Sequence, residues 1–236
     1  MIDVKSVSRV FTSAGEEVVA NRSVNLRVDA GEFVVISGPS GSGKTTLLNM
    51  IGALDRPSSG EVWVDGVELG GLGERKVAEF RRDRIGFVFQ RANLVSSLNV
   101  LDNVLLQRRL QGTLDARART RATDLLEKVG LASRATSLPG ELSGGQQQRV
   151  AIVRAVAAEP AVVIADEPTA SLDARNAEEV LDLFRQVNDE HGMTIVASSH
   201  DDRVIRAARR EVHLVDGEIT SDRTIESAES AEGAPR

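Results

Sequence analysis

Apolar and polar positions change period twice along the chain, and the changes divide it into three stretches. In the first, Val24 to Val28 alternates apolar with polar residues, which predicts a half-buried strand. Phe33-Val34-Val35-Ile36 is an unbroken apolar run, as expected of a strand covered on both faces. Thr45 to Ile51 reads as a helix. Val62-Trp63-Val64 before Asp65-Gly66 is a hairpin signal, and Ile85 to Phe89 is a further strand ending at Gln90. From about Asn99 to Ala158 the spacing becomes helical. Val100, Val104, Leu105 and Leu110 recur at roughly helical spacing, Leu125, Leu126 and Val129 precede Gly130 as a helix stop, and Gln146 to Ala158 forms a third helical stretch. Strands return at Val162 to Ala165 and Thr194 to Ser198, with a helix through Val180 to Val187 between them. Glu211 to Ile219 reads as two short strands about Asp216-Gly217. After Ser221 the residues have little to bury, which predicts a disordered tail over 221–236. The outline is an α/β core interrupted by a helical segment.

At 236 residues the chain can bury one sizeable core with a subdomain inserted. The net charge of −6 argues against a nucleic-acid binder, which needs a basic surface to displace counterions. Arginines do cluster, at Arg81, Arg82 and Arg84, at Arg117, Arg119 and Arg121, and at Arg206, Arg209 and Arg210. They read as solvated helix faces, with contact to anionic lipid or an acidic partner as the alternative. The absence of cysteine excludes disulfides and thiolate metal sites. The N-terminus lacks the layout of a signal peptide, and no apolar run approaches the ~18 residues of a membrane span. The expectation is a soluble chain that reaches a membrane only through a partner.

Gly38-Pro39-Ser40-Gly41-Ser42-Gly43-Lys44-Thr45 follows a predicted strand and opens a predicted helix, which is the setting of a phosphate-binding loop. Its glycines let successive N–H groups of Gly41, Ser42 and Gly43 aim at phosphate oxygens, and the helix terminus at Thr45 and Thr46 favours an anion. Lys44 is expected to reach the terminal phosphates, and Thr45 to ligate Mg²⁺ through its hydroxyl. Asp166 ends an apolar strand, where a carboxylate is costly without a metal or other partner. The adjacent Glu167 is then placed as the base that polarises the attacking water. Taken alone, the Asp-Glu pair could equally be a helix cap or a surface pair.

Leu142-Ser143-Gly144-Gly145-Gln146, ahead of Asp166-Glu167, carries the chain's resemblance to a family: it resembles the signature of ATP-binding cassette (ABC) transporter ATPases. The resemblance spans roughly residues 2 to 220. It implies a RecA-like P-loop core (1–90 and 159–220) with an N-terminal antiparallel β-subdomain and an inserted helical signature subdomain (91–158). It also implies two head-to-tail copies that sandwich ATP and Mg²⁺, with Ser143, Gly144, Gly145 and Gln146 of one copy facing the phosphate loop of the other. By the same resemblance Gln90 touches Mg²⁺ and water, Asp173 of Ser171-Leu172-Asp173 crosses the dimer interface, and His200 contacts the terminal phosphate. Phe11 falls where an aromatic stacks on the base, with core packing as the alternative. Ile85 to Leu94, Leu142 to Ala151 and Ala165 to Thr169 resemble the branch of macrolide-exporter, lipoprotein-release and cell-division ATPases. The implied function is an ATPase on the cytoplasmic face of the membrane, energising a separate permease. The alternative is an ATP-switched scaffold acting on a membrane partner without transport.

Overall fold

The computed structural model describes residues 1–13 and 16–225. Strands β1 (Ile2–Ser13), β2 (Glu16–Val28), β4 (Ser59–Val64) and β5 (Val67–Glu68) form an antiparallel sheet in the order β2-β1-β4-β5. The second sheet holds β3 (Phe33–Ser37), β6 (Ile85–Val88), β7 (Val162–Asp166), β8 (Thr194–Ser198), β9 (Arg210–Val215) and β10 (Glu218–Thr224), in the order β10-β9-β3-β8-β7-β6. Its β9, β3, β8, β7 and β6 are mutually parallel, and β10 is antiparallel at the edge. The chain is therefore an α/β P-loop architecture with an antiparallel β-subdomain, as the sequence predicts.

Side-chain alternation on the central strands divides the interior into two apolar cores. Phe33 and Val35 of β3, Val163 and Ala165 of β7, and Ile195 and Ala197 of β8 face one cluster. Val34 and Ile36, Val162 and Ile164, and Val196 face the other. The second cluster is closed by helix α1 (Lys44–Ile51), helix α2 (Glu74–Arg84) and the antiparallel sheet. The first is covered by α3 (Val100–Leu110), α4 (Ala116–Lys128), α5 (Gly144–Ala157) and α6 (Ala174–His191). Helix α5 is the keystone, because it packs on α3, α4, β6 and α6 together.

Two elements differ from the sequence reading. The disordered tail expected over 221–236 does not hold for Ser221 to Thr224, which belong to β10. Its residues are mostly exposed, and ion pairs take the place of burial: Arg210 with Asp222 at 2.7 Å and Arg223 with Glu211 at 2.6 Å. Residues 226–236 lie outside the described residues. Helix α2 enters the reading only as a solvated face carrying Arg81, Arg82 and Arg84, since only Val77 and Phe80 of its residues are buried and the apolar period is too sparse to register.

Candidate functional site

The carboxyl ends of the parallel strands gather the predicted chemistry, at the edge where open α/β sheets bind ligands. β3 runs into the glycine-rich loop, β7 ends at Asp166, β8 leads to His200 and β6 to Gln90. A cleft of about 440 Å³ lies there, lined by Ser40, Gly41, Gly43, Lys44, Thr45 and Thr46, with Gln90, Glu167 and His200 opposite. Val18, Val19 and Ala20 of β2 form a third wall.

The loop's backbone requires glycine at two points. Gly38 has φ 141° and Gly43 φ 98°, and a Cβ would fall 2.0 Å from Leu214 O at the first and 2.2 Å from Ala20 O at the second. The loop is thus pressed between the β9–β10 hairpin and β2. Gly217 N–H donates to Ser42 O at 3.1 Å, and the buried Asn21 amide donates to Gly43 O at 3.3 Å. Ser42 is itself buried. The Lys44 ammonium is buried and donates to the carbonyls of Gly38 and Pro39, both at 2.9 Å. One of its three protons remains for another acceptor.

Sequence reasoning missed what anchors the loop from below. Ser37 donates to Glu211 at 2.5 Å and lies 2.8 Å from His213 Nδ1. Burial raises the Glu211 carboxyl, but the hydrogen bonds from Ser37 and Arg223 and the charge of Arg223 outweigh it and hold the group below its ordinary range. A carboxylate accepts only, so Ser37 spends its proton there and His213 Nδ1 is the donor to Ser37.

At the end of β7, Thr45 Oγ1 donates to Asp166 Oδ1 at 3.0 Å, and Ser198 Oγ donates to the same oxygen at 2.6 Å. A hydroxyl beside a carboxylate is a hard-oxygen pair, the donor chemistry that suits Mg²⁺. Ser198 also accepts from Glu167 N–H, through Oγ at 3.0 Å and through its carbonyl at 3.2 Å. These bonds hold Glu167 at φ 46°, a left-handed conformation that a non-glycine residue adopts only under local constraint. The Glu167 carboxylate is 3.1 Å from His200 Nδ1. Ser198 was not singled out in the sequence, although it joins both carboxylate residues. Beyond His200, the Arg203 side-chain hydrogen bonds hold the Asp201 carboxyl below its usual range and fix the turn that carries the histidine.

Gln90 lines the cleft, and Ser171 Oγ bonds its carbonyl at 3.4 Å. Phe11 is 40% exposed, which overturns core packing. It does not itself line the cleft, but its cross-strand partner Val18 does.

Ser143, Gly144, Gly145 and Gln146 stand elsewhere, outside the cleft lining. Ser143 is the exposed N-cap of α5 in a reciprocal capping box: Gln146 N–H donates to Ser143 Oγ at 3.3 Å, and Ser143 N–H to Gln146 Oε1 at 2.9 Å. The first-turn N–H groups of Gly144 and Gly145 have no acceptor within the helix. A Cβ on Gly145 would fall 2.6 Å from Asn176 Cγ. Asn176 also donates to Asp173 at 2.8 Å, so the signature and Asp173 form one rigid unit. Asp173 is the N-cap of α6, its carboxylate accepting from Asn176 N–H at 2.9 Å. The backbone N–H of Asn176, then its side chain, hold the Asp173 carboxyl below its ordinary range.

Comparison with known proteins agrees with this arrangement. The family described as ABC transporter matches residues 21–170. The chain is 42% identical over 229 residues to an ABC transporter ATP-binding protein of Methanocaldococcus jannaschii, MJ0796, covering 95% of this chain and 97% of that one. It is 44% identical over 223 residues to a macrolide export ATP-binding/permease protein of Paracoccus denitrificans, covering 94% of this chain but 33% of that longer protein. Among solved structures it is similar to a dimeric post-hydrolysis state of MJ0796 bound to ADP and Pi, with TM-score 0.88 and 41% identity over 96% of this chain and 99% of that one.

Proposed function

The chain belongs to the ABC transporter ATP-binding family, and from that premise we propose that it is an ATP-hydrolysing motor, two copies of which close head to tail on ATP and pull on a separate membrane permease. The observation that carries the reading is the division of the phosphate-binding groups. One chain gathers Lys44, Thr45, Glu167 and His200 around a cleft, with Asp166 bonded to Thr45, while its capped signature helix begins outside the cleft lining. The dimers of MJ0796 support pairing of this kind.

Within each site, loop amides and Lys44 hold the phosphates, and Thr45 and Asp166 would hold Mg²⁺. That ion supplies charge neutralisation at the phosphate oxygens. Glu167 accepts the proton of the attacking water, and His200 orients Glu167 and the terminal phosphate. Ser143 and the amides of Gly144 and Gly145 bring a second helix terminus to the phosphates from the partner copy.

The permease is assigned to a groove of about 420 Å³ lined by Leu54, Phe87, Phe89, Leu106 and Leu110, where Phe87 and Phe89 stack 5.5 Å apart. Its floor is β6, which leads directly to Gln90 in the nucleotide cleft. A short apolar helix from a permease loop fits this shape and would sense Gln90. Among the described residues no helix is long and apolar enough to cross a membrane. Attachment to the cytoplasmic face therefore runs through the permease. The macrolide-export name of a relative that joins ATP-binding and permease parts favours transport over a scaffold role.

The test is Glu167→Gln with ATP. The variant should dimerise by light scattering while phosphate release nearly stops. A variant that stays monomeric at saturating ATP would refute the ATP-closed dimer.

A further inference from the structure

Arg9 has no place in the phosphate chemistry, yet it is one of the more tightly held arginines. It lies on β1 between register shifts at Val7/Arg9 and Arg9/Val10. Irregularities of this kind re-aim side chains, and the Arg9 guanidinium carbon lies 4.4 Å from the Phe11 ring centroid. Its Nε donates to Asp55 Oδ2 at 2.8 Å, while Asp55 Oδ1 accepts from Arg56 N–H at 2.8 Å. Both side chains of the pair are about three-quarters buried, at 24% and 26% exposure. Nearby arginines are otherwise engaged, Arg56 with Glu74 and Arg81 with the Ala53 carbonyl.

Asp55 is itself fixed to α1. Its N–H and that of Leu54 both donate to Asn49 O, at 3.1 and 2.8 Å. The opposite end of α1 is the phosphate loop. Phe11 and Val18 are paired across β1 and β2, so their side chains share a face of the sheet, and Val18 lines the nucleotide cleft. One chain of contacts thus runs from the phosphate helix through Asp55 and Arg9 to an exposed aromatic ring beside the cleft.

We propose that Arg9 and Asp55 are positioning residues for the nucleotide base: the guanidinium backs the Phe11 ring so that a purine stacks on its free face, and Asp55 sets that platform relative to the phosphate loop. The inference rests on reading Phe11 as the base platform. A cation held over an aromatic ring changes an equilibrium about two- to five-fold at partly exposed sites. That is enough to fix a ring otherwise free to change rotamer. Stacking uses the π-face alone, so the platform serves ATP and GTP alike.

Calorimetric titration of the full chain with ATP, GTP and inorganic tripolyphosphate tests this, with thermal melting to confirm folding. Arg9→Met keeps the apolar stem and removes the charge. It should weaken ATP and GTP about three-fold, leave tripolyphosphate unchanged, and add nothing in a Phe11→Ala background. Asp55→Asn should show the same base-dependent pattern more weakly. If Phe11→Ala weakens ATP while Arg9→Met does not, the Arg9 role is overturned and the platform stands. If Phe11→Ala leaves ATP affinity unchanged, the platform reading fails and this inference with it. If Arg9→Met weakens tripolyphosphate as much as ATP, Arg9 acts through the loop or the fold, which also overturns the proposal.

Discussion

The phosphate-loop edge and the signature edge are both built on helix N-termini, but they are finished differently. At the first, the polar groups converge on a cleft. Asp166 takes hydrogen bonds from Thr45 and Ser198, Glu167 meets His200, and Lys44 is buried against the loop carbonyls. At the second, the capping box satisfies Ser143 and Gln146 against each other, and the helix end lies outside the cleft lining. An anion-binding terminus with no cleft of its own is useful only if another molecule supplies the phosphate. On the proposed function, the contrast assigns nucleotide binding to one chain and turnover to two.

That comparison can be broken by mutating each edge separately. Lys44→Ala should lower turnover by about 10²-fold or more and weaken nucleotide binding by the isolated chain. Ser143→Arg should cost turnover on the order of 10²-fold as well. Unlike the lysine variant, it should leave nucleotide affinity of the monomer intact by calorimetry. Equal loss of monomer affinity in both variants would erase the distinction between the edges. Gly145→Ala places a methyl against Asn176, which is held by Asp173, and should reduce turnover more modestly with little change in affinity.

The smallest expected effect concerns Asp173. Its folded carboxyl is lowered by Asn176, so its contribution to stability is present above the ordinary carboxylate range and is lost as pH falls through the lowered folded value. Asp173→Asn keeps a capping oxygen without the titration. Melting curves of the two proteins should therefore differ in their acid dependence and converge as Asp173 protonates. Parallel acid limbs would remove Asp173 as a contributor.

Much of this was legible in sequence because the informative residues are local. The buried run at Phe33 to Ile36, the loop from Gly38 to Thr45 and the strand ending at Asp166 each combine pattern and chemistry within a few residues. The missing parts depend on distant contacts. β10 is a polar edge strand specified by its pairing with β9, which no period within Ser221 to Thr224 reveals. Helix α6 begins at Ala174, ahead of the apolar stretch at Val180 to Val187, because Asp173 caps it. Ser198 acquires its role from the pairing of β8 with β7, and Arg9 from its hydrogen bond to Asp55, 46 residues away. The signature lies in five consecutive residues, yet its separation from the cleft is a property of the fold.

The most direct test of a site shared between chains is to mix the inactive Lys44→Ala and Ser143→Arg proteins and measure phosphate release against mixing ratio. A mixed dimer places both lesions in one site and leaves the other with an intact Lys44 from one copy and an intact Ser143 from the other. The account predicts recovered activity that peaks near equimolar mixing. A mixture as inactive as its components at every ratio would contradict it.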